Sequence, residues 1–148
     1  MLISDAVRRI PAHLQSAGVD LVDLARFERA VDRCGDSLAF RYFTAHERRI
    51  AKEWATEERS AAEVLAHFFG VKESVVKLMG GLPAAGRLAD ISVAVPDGGW
   101  GSEHWTVHLS GPLAPWSRSD HGIVGASARL EDGLALAWAA APSEGGAP

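Results

Sequence analysis

The chain has 148 residues and a mass of 15.8 kDa, enough for one compact domain and too few for two ordinary ones. Hydrophobic residues make up 47% and charged residues 23%, the balance of a soluble globular protein, and the net charge of −4 argues against a general nucleic-acid binder. No apolar run reaches the ~18–20 residues of a membrane span, and the single cysteine, Cys34, excludes an intramolecular disulfide and a multi-thiolate zinc cluster. A reducing, cytoplasmic setting is the expectation that follows.

Residues 1–16 read as an N-terminal extension. Asp5, Arg8, Arg9 and Pro11 interrupt its apolar residues, so it lacks a signal-peptide core, while Leu2, Ile3, Val7, Ile10 and Leu14 fit an amphipathic helix. The domain proper is expected over 17–141. Residues 17–24 form a short buried strand around Val19, Leu21 and Val22. Leu24, Phe27, Ala30, Val31 and Cys34 then recur at helical spacing, with Gly35 as the stop. Thr44 and Glu47 have the spacing of a capping box, and Ser60 and Glu63 repeat it. The second box opens the longest helical pattern, which runs to about Met79 and is stopped by Gly80 and Gly81.

Beyond Pro83 the period changes. Segments 90–95, 105–110, 122–129 and 134–140 read as strands separated by turn-rich stretches at 96–99 and 111–112. Helices early and strands late predict an α+β fold with one long central helix on a mainly antiparallel sheet. Residues 142–148 read as a flexible tail.

Two places carry potential chemistry. Asp20 interrupts an apolar strand, and a carboxylate there is either an ordinary half-exposed strand residue or needs a hydrogen-bond or cation partner. Lys72, Glu73 and Lys77 interrupt the long apolar helix, with Glu73 and Lys77 at i, i+4. They read either as a surface ion pair of about 0.3–0.5 kcal/mol or as a carboxylate between two ammonium groups. The latter arrangement can hold a magnesium ion together with phosphate oxygens, with Asp20 as second carboxylate if strand and helix pack side by side. Upstream, Arg26, Arg29 and Arg33 fall on one helical face. They are either a solvated stripe partnered by Glu28, Asp32 and Glu47, or a docking strip for an acidic partner.

Taken together, these residues resemble the 4′-phosphopantetheinyl transferase superfamily, in its single-module holo-acyl-carrier-protein synthase type. The stretch from Gly18 through Val19, Asp20, Leu21 and Val22 to Arg26 and Phe27 is similar to the family's opening strand and arginine-bearing helix. Phe40, Arg41, Thr44 and Glu47 are similar to its next motif, set one residue tighter. Leu65, Ala66, Phe69, Lys72, Glu73 and Lys77 match its most specific helix, and Ser127 with Ala135 and Ala137 match its closing strands. The likeness runs over about residues 17–140.

The resemblance implies transfer of 4′-phosphopantetheine from coenzyme A to a serine of an apo acyl or peptidyl carrier protein. The transfer is magnesium-dependent and releases 3′,5′-ADP. It implies Asp20 and Glu73 as metal ligands, Glu73 and Lys77 as catalytic residues, and Lys72, Lys77, Gly80 and Arg129 as coenzyme-binding residues. It further implies Arg26, extended by Arg29, as the carrier-docking face, and a homotrimer with sites between subunits. No nucleic acid or membrane partner is expected. Phe68 stands where many members have Arg, and Leu130 stands where many have His. These departures motivate a second reading, a non-catalytic module of the same fold that binds coenzyme A or a carrier protein. A third, an unrelated α+β domain, would treat the Lys-Glu helix as a plain surface ion pair.

Overall fold

The computed structural model describes residues 1–8, 16–95, 99–101, 104–117 and 122–141. Five strands, β1 (Ser16–Asp23), β2 (Ile91–Ala94), β3 (Trp105–Leu109), β4 (Ile123–Arg129) and β5 (Leu134–Ala141), form one antiparallel sheet in the order β1-β5-β4-β3-β2. β1 and β5 lie side by side although they open and close the domain, with Asp20 opposite Ala137. The helices are α1 (Ile3–Val7), α2 (Leu24–Cys34), α3 (Asp36–Tyr42), α4 (Ala45–Glu53) and α5 (Ala61–Leu78). The expected α+β architecture is present, with α5 as the long helix packed on the sheet.

Small residues let α5 press onto the strands. A Cβ at Gly18 would lie 1.9 Å from the Ser74 carbonyl oxygen, and one at Gly70 would lie 2.8 Å from the Ala137 Cβ. Ala135, Ala137 and Ala139 supply the facing surface of β5 and are fully buried. Val64, Phe68, Val71 and Val75 fill the space between helix and sheet, and all are excluded from solvent. Burying such side chains is worth roughly 1.5–3 kcal/mol each for the large apolar ones.

The helix ends follow the sequence signals with one difference. Thr44 and Glu47 close a full capping box on α4. Ser60 accepts from the Glu63 amide at 3.0 Å, but the Glu63 carboxylate turns instead to Arg129 at 2.9 Å, so α5 has half a box. Gly35 ends α2 with φ of 59°. One further element departs from expectation: α3 is a helix that periodicity did not indicate. The extension, which fits an amphipathic helix by sequence, is helical over Ile3–Val7 among its described residues. Ala6 of α1 packs on Leu130 and Leu136, so Leu130 belongs to a small apolar cluster on the outer side of the sheet. The expected tail 142–148, and positions 9–15 of the extension, lie outside the described residues.

Candidate active site

β1 alternates, with Gly18 and Val22 facing α5 and Val19 and Leu21 exposed, so Asp20 is turned toward the helix. Because Gly18 has no side chain, the strand lies against the α5 backbone and brings Asp20 to the last turns of that helix. Asp20 Oδ1 accepts from Lys77 Nζ at 2.8 Å, and the same ammonium donates to the Val19 carbonyl at 2.9 Å. Glu73 sits one turn before Lys77 and is half-buried. Its carboxyl pKa is raised, first by burial and then by the neighbouring Asp20 carboxylate, while Lys77 opposes the rise. Among the described residues Glu73 has no hydrogen-bond or ion-pair partner.

Two neighbouring carboxylates, with Glu73 unpartnered among the described residues, are a donor set suited to a hard divalent cation. Among the described residues no third His, Cys, Asp or Glu joins them. A pair of carboxylates fits magnesium, which takes one or two of them and completes its shell with water and substrate phosphates.

Glu73 also lines a cleft of about 500 Å³. Val76 of α5, Arg41 and Tyr42 of α3, and the segment from Leu82 to Leu88 form the rest of its wall. The Gly80 and Gly81 amides turn the chain back at the end of α5, donating to the Lys77 and Val76 carbonyls, and so lead it into that wall.

The structure departs from expectation at Lys72. Its side chain is fully buried, and Nζ donates to Glu47 Oε1 at 2.6 Å, the Tyr42 carbonyl at 2.8 Å and the Leu88 carbonyl at 3.2 Å. All three ammonium donors are thereby used, so Lys72 cannot serve as the coenzyme ligand the motif suggests. Burial lowers its pKa, and the Glu47 carboxylate opposes that fall. Glu47 is the hub that the sequence reading missed. Its Oε1 also accepts from the Thr44 amide and its Oε2 from the Val93 amide, so one buried pair ties together α3, α4, α5, β2 and the turn at Leu88. Lys72 shares a helical face with Leu65, Phe68 and Val75, and that periodicity was the available signal.

The other expected residues lie apart from this centre. Arg129 pairs with Glu63 in the first turn of α5, about 15 Å along the helix from Glu73 at 1.5 Å per residue. Beside that pair, His67 Nδ1 lies 2.6 Å from Ser127 Oγ, and the ring packs edge-on against Trp100. Burial, aided by Arg59 and Arg129, lowers the His67 pKa to about 4. Phe68 is a core residue between Trp54 and Trp105, not a vacated phosphate contact. Arg26, Arg29 and Arg33 are exposed on α2 and form no ion pair among the described residues. Two of the acids read as their partners are engaged elsewhere, Glu28 with the Ser60 hydroxyl and Glu47 with Lys72.

The family model of the 4′-phosphopantetheinyl transferase superfamily matches residues 16–139. Among curated proteins, the holo-[acyl-carrier-protein] synthase of Hyphomonas neptunium is 43% identical over 70 residues, covering 47% of this chain and 48% of that protein. That of Bradyrhizobium diazoefficiens is 31% identical over 104 residues, covering 55% and 75%. The matched segment spans about half the length of the first of these relatives.

Among solved structures, the acyl carrier protein synthase of Mycobacterium tuberculosis is 30% identical with a TM-score of 0.60, covering 86% of this chain and 96% of that one. A Chronobacterium ammoniagenes synthase in complex with coenzyme A gives 25% and 0.63, covering 84% and 94%. The Neisseria meningitidis synthase, at 22% identity and a TM-score of 0.70, covers 88% and 99% and shares the fold.

Proposed function

This chain belongs to the 4′-phosphopantetheinyl transferase superfamily, and we propose that it transfers the 4′-phosphopantetheine group of coenzyme A to a serine of an apo carrier protein, releasing 3′,5′-ADP. The observation that carries the reading is the convergence of Asp20, Glu73 and Lys77, from β1 and α5, beside a cleft. The relatives named as holo-[acyl-carrier-protein] synthases, one of them with coenzyme A bound, support the choice of substrates.

The carrier serine oxygen attacks the β-phosphorus of coenzyme A, and the bond from that phosphorus to the bridging oxygen of the nucleotide half breaks. The serine proton goes to Glu73, whose raised proton affinity suits a base. Lys77, half-exposed at the open side of the pair, meets the negative charge that grows on the phosphate oxygens. Asp20 and Glu73 would hold a magnesium ion, which when bound supplies charge neutralisation at the diphosphate. The exposed arginine face of α2, led by Arg26 and extended by Arg29, receives the acidic surface of the carrier. The apolar outward residues of β1, Val19 and Leu21, support a homo-oligomer; that it is a trimer with sites completed between subunits is what the family resemblance implies. Within such an assembly Arg129 of a neighbouring copy would approach the coenzyme.

The test is incubation with coenzyme A, magnesium and an apo carrier protein, followed by intact-mass spectrometry of the carrier. A gain of one phosphopantetheine group, dependent on magnesium and abolished in Glu73→Gln, is the expected result. Coenzyme A binding with no gain across fatty-acid, polyketide and peptide carriers would instead identify a non-catalytic module.

A further inference from the structure

We infer that Arg41 is a substrate-anchoring residue that takes a phosphate group of coenzyme A at the mouth of the Glu73 cleft; the inference rests on the transferase reading above. Arg41 and Glu73 line the same cavity from opposite elements, α3 and α5, with Tyr42, Val76 and Leu88 as its apolar wall. A phosphate entering there meets a carboxylate, so its charge requires a cation across the space.

The other cations near the cleft already hold a protein partner, Lys77 among them, which the transferase reading places at the transferred phosphate. Lys77 pairs with Asp20, Arg87 with Asp90, Arg129 with Glu63, and Lys72 is spent on Glu47. Arg48 donates to the Phe43 carbonyl and lies over the Phe40 ring. Arg41 is exposed and, among the described residues, makes no ion pair or side-chain hydrogen bond. Its guanidinium only leans over the adjacent Tyr42 ring, 5.6 Å from the centroid.

Its base is nevertheless fixed. The next carbonyl, that of Tyr42, accepts from the buried Lys72, which also holds Leu88 on the facing wall. An arginine with a rigid root and an uncompensated planar head matches phosphate geometry, where two parallel N–H donors can engage two oxygens. Coenzyme A offers such groups in both halves, the bisphosphate of the nucleotide and the phosphate that travels with pantetheine.

The experiment is calorimetric titration of the wild type and Arg41→Ala with coenzyme A, 3′,5′-ADP and 4′-phosphopantetheine, with the carrier KM measured alongside. The expected result is coenzyme A affinity weakened about tenfold or more, the carrier KM unchanged, and partial recovery in Arg41→Lys, which keeps charge without the fork. A loss shared with 3′,5′-ADP assigns the nucleotide phosphates, and a loss shared with phosphopantetheine assigns the transferred one; both support the role. Unchanged coenzyme A affinity in Arg41→Ala, with the wild type binding normally, overturns it and leaves the transferase reading intact. A wild type that binds none of the three overturns the transferase reading and this role together.

Discussion

Glu73 owes its chemical character to its neighbours. Burial and the Asp20 carboxylate push its proton affinity up, and Lys77 limits that rise. Substituting Gln keeps the shape and removes both the base and one donor for a cation. Glu73→Gln is therefore expected to lower transfer by roughly 10²–10⁴, the range of a lost general base, while leaving the melting temperature near that of the wild type. Single-turnover transfer to a carrier and a thermal scan check the two halves. His67 gives a second expectation at this scale, in stability. Its pKa is about 4 in the fold against an ordinary value near 6.5. The unfolded chain therefore takes up the proton first as the pH falls. The stability is fully present above about pH 6.5 and is lost progressively toward pH 4, by up to about 3 kcal/mol from the shift alone. Arg59 and Arg129, facing the ring, reinforce the direction, and Glu63 lies 3.9 Å from Nε2. Urea denaturation across that window should show a shallower acid loss in His67→Gln than in the wild type.

At the scale of elements, the site exists because β1 can lie directly on α5. A methyl at Gly18 has nowhere to go, since the atom 1.9 Å away is the Ser74 backbone carbonyl. Gly18→Ala must part strand and helix, and is expected to cost about 1–3 kcal/mol as an overpacked position. Because the shift carries Asp20 away from Glu73, it should also reduce magnesium affinity by more than Leu24→Ala, which is buried but remote from the pair. Denaturant midpoints and metal titration separate the two effects. The second device is the Lys72–Glu47 pair. Lys72→Met strands a buried carboxylate and is expected to destabilise by about 3–5 kcal/mol, seen in the urea midpoint.

These two devices also show what the sequence could convey. The strand-to-helix opening at 17–34, the capping at Thr44 and the extent of α5 rest on local periodicity and caps, and each element is where it was expected. Of the three residues read as buried in the strand, however, only Val22 is, because Val19 and Leu21 point to the opposite face of the sheet from α5. α3 was hidden because it is seven residues long and its core-facing Leu38, Ala39 and Tyr42, only partly buried, make too short a stripe to mark a helix. Lys72 was misread because motif position suggested a ligand, while its real partner lies twenty-five residues away and only tertiary packing unites them. Likewise Phe68 and Leu130 looked like lost polar contacts, whereas one completes the core and the other seats α1.

On the scale of the whole molecule, the two faces of the sheet are covered unequally. The inner face is filled by α5. On the outer face, α1 covers Leu136, and His104 lies against Trp138 with ring centroids 5.6 Å apart. The cross-strand partners of those two residues on β1, Leu21 and Val19, stay 48% and 40% exposed, although they continue the same apolar rows. Among the described residues β1 is also a sheet edge, with no strand paired along one side. An apolar edge beside the strand that carries Asp20 places any subunit contact close to the reacting groups. We therefore expect the wild type to sediment as a multiple of its 15.8 kDa mass and Leu21→Lys to sediment as a monomer. The variant should keep its own fold, because Leu21 faces away from α5, yet transfer should fall about tenfold or more if a neighbour completes the coenzyme cleft. Analytical ultracentrifugation and the carrier mass assay, run on the same samples, give the answer. A monomeric wild type with full transfer would show that this chain builds its site alone, and would leave the exposed β1 row without a role in assembly.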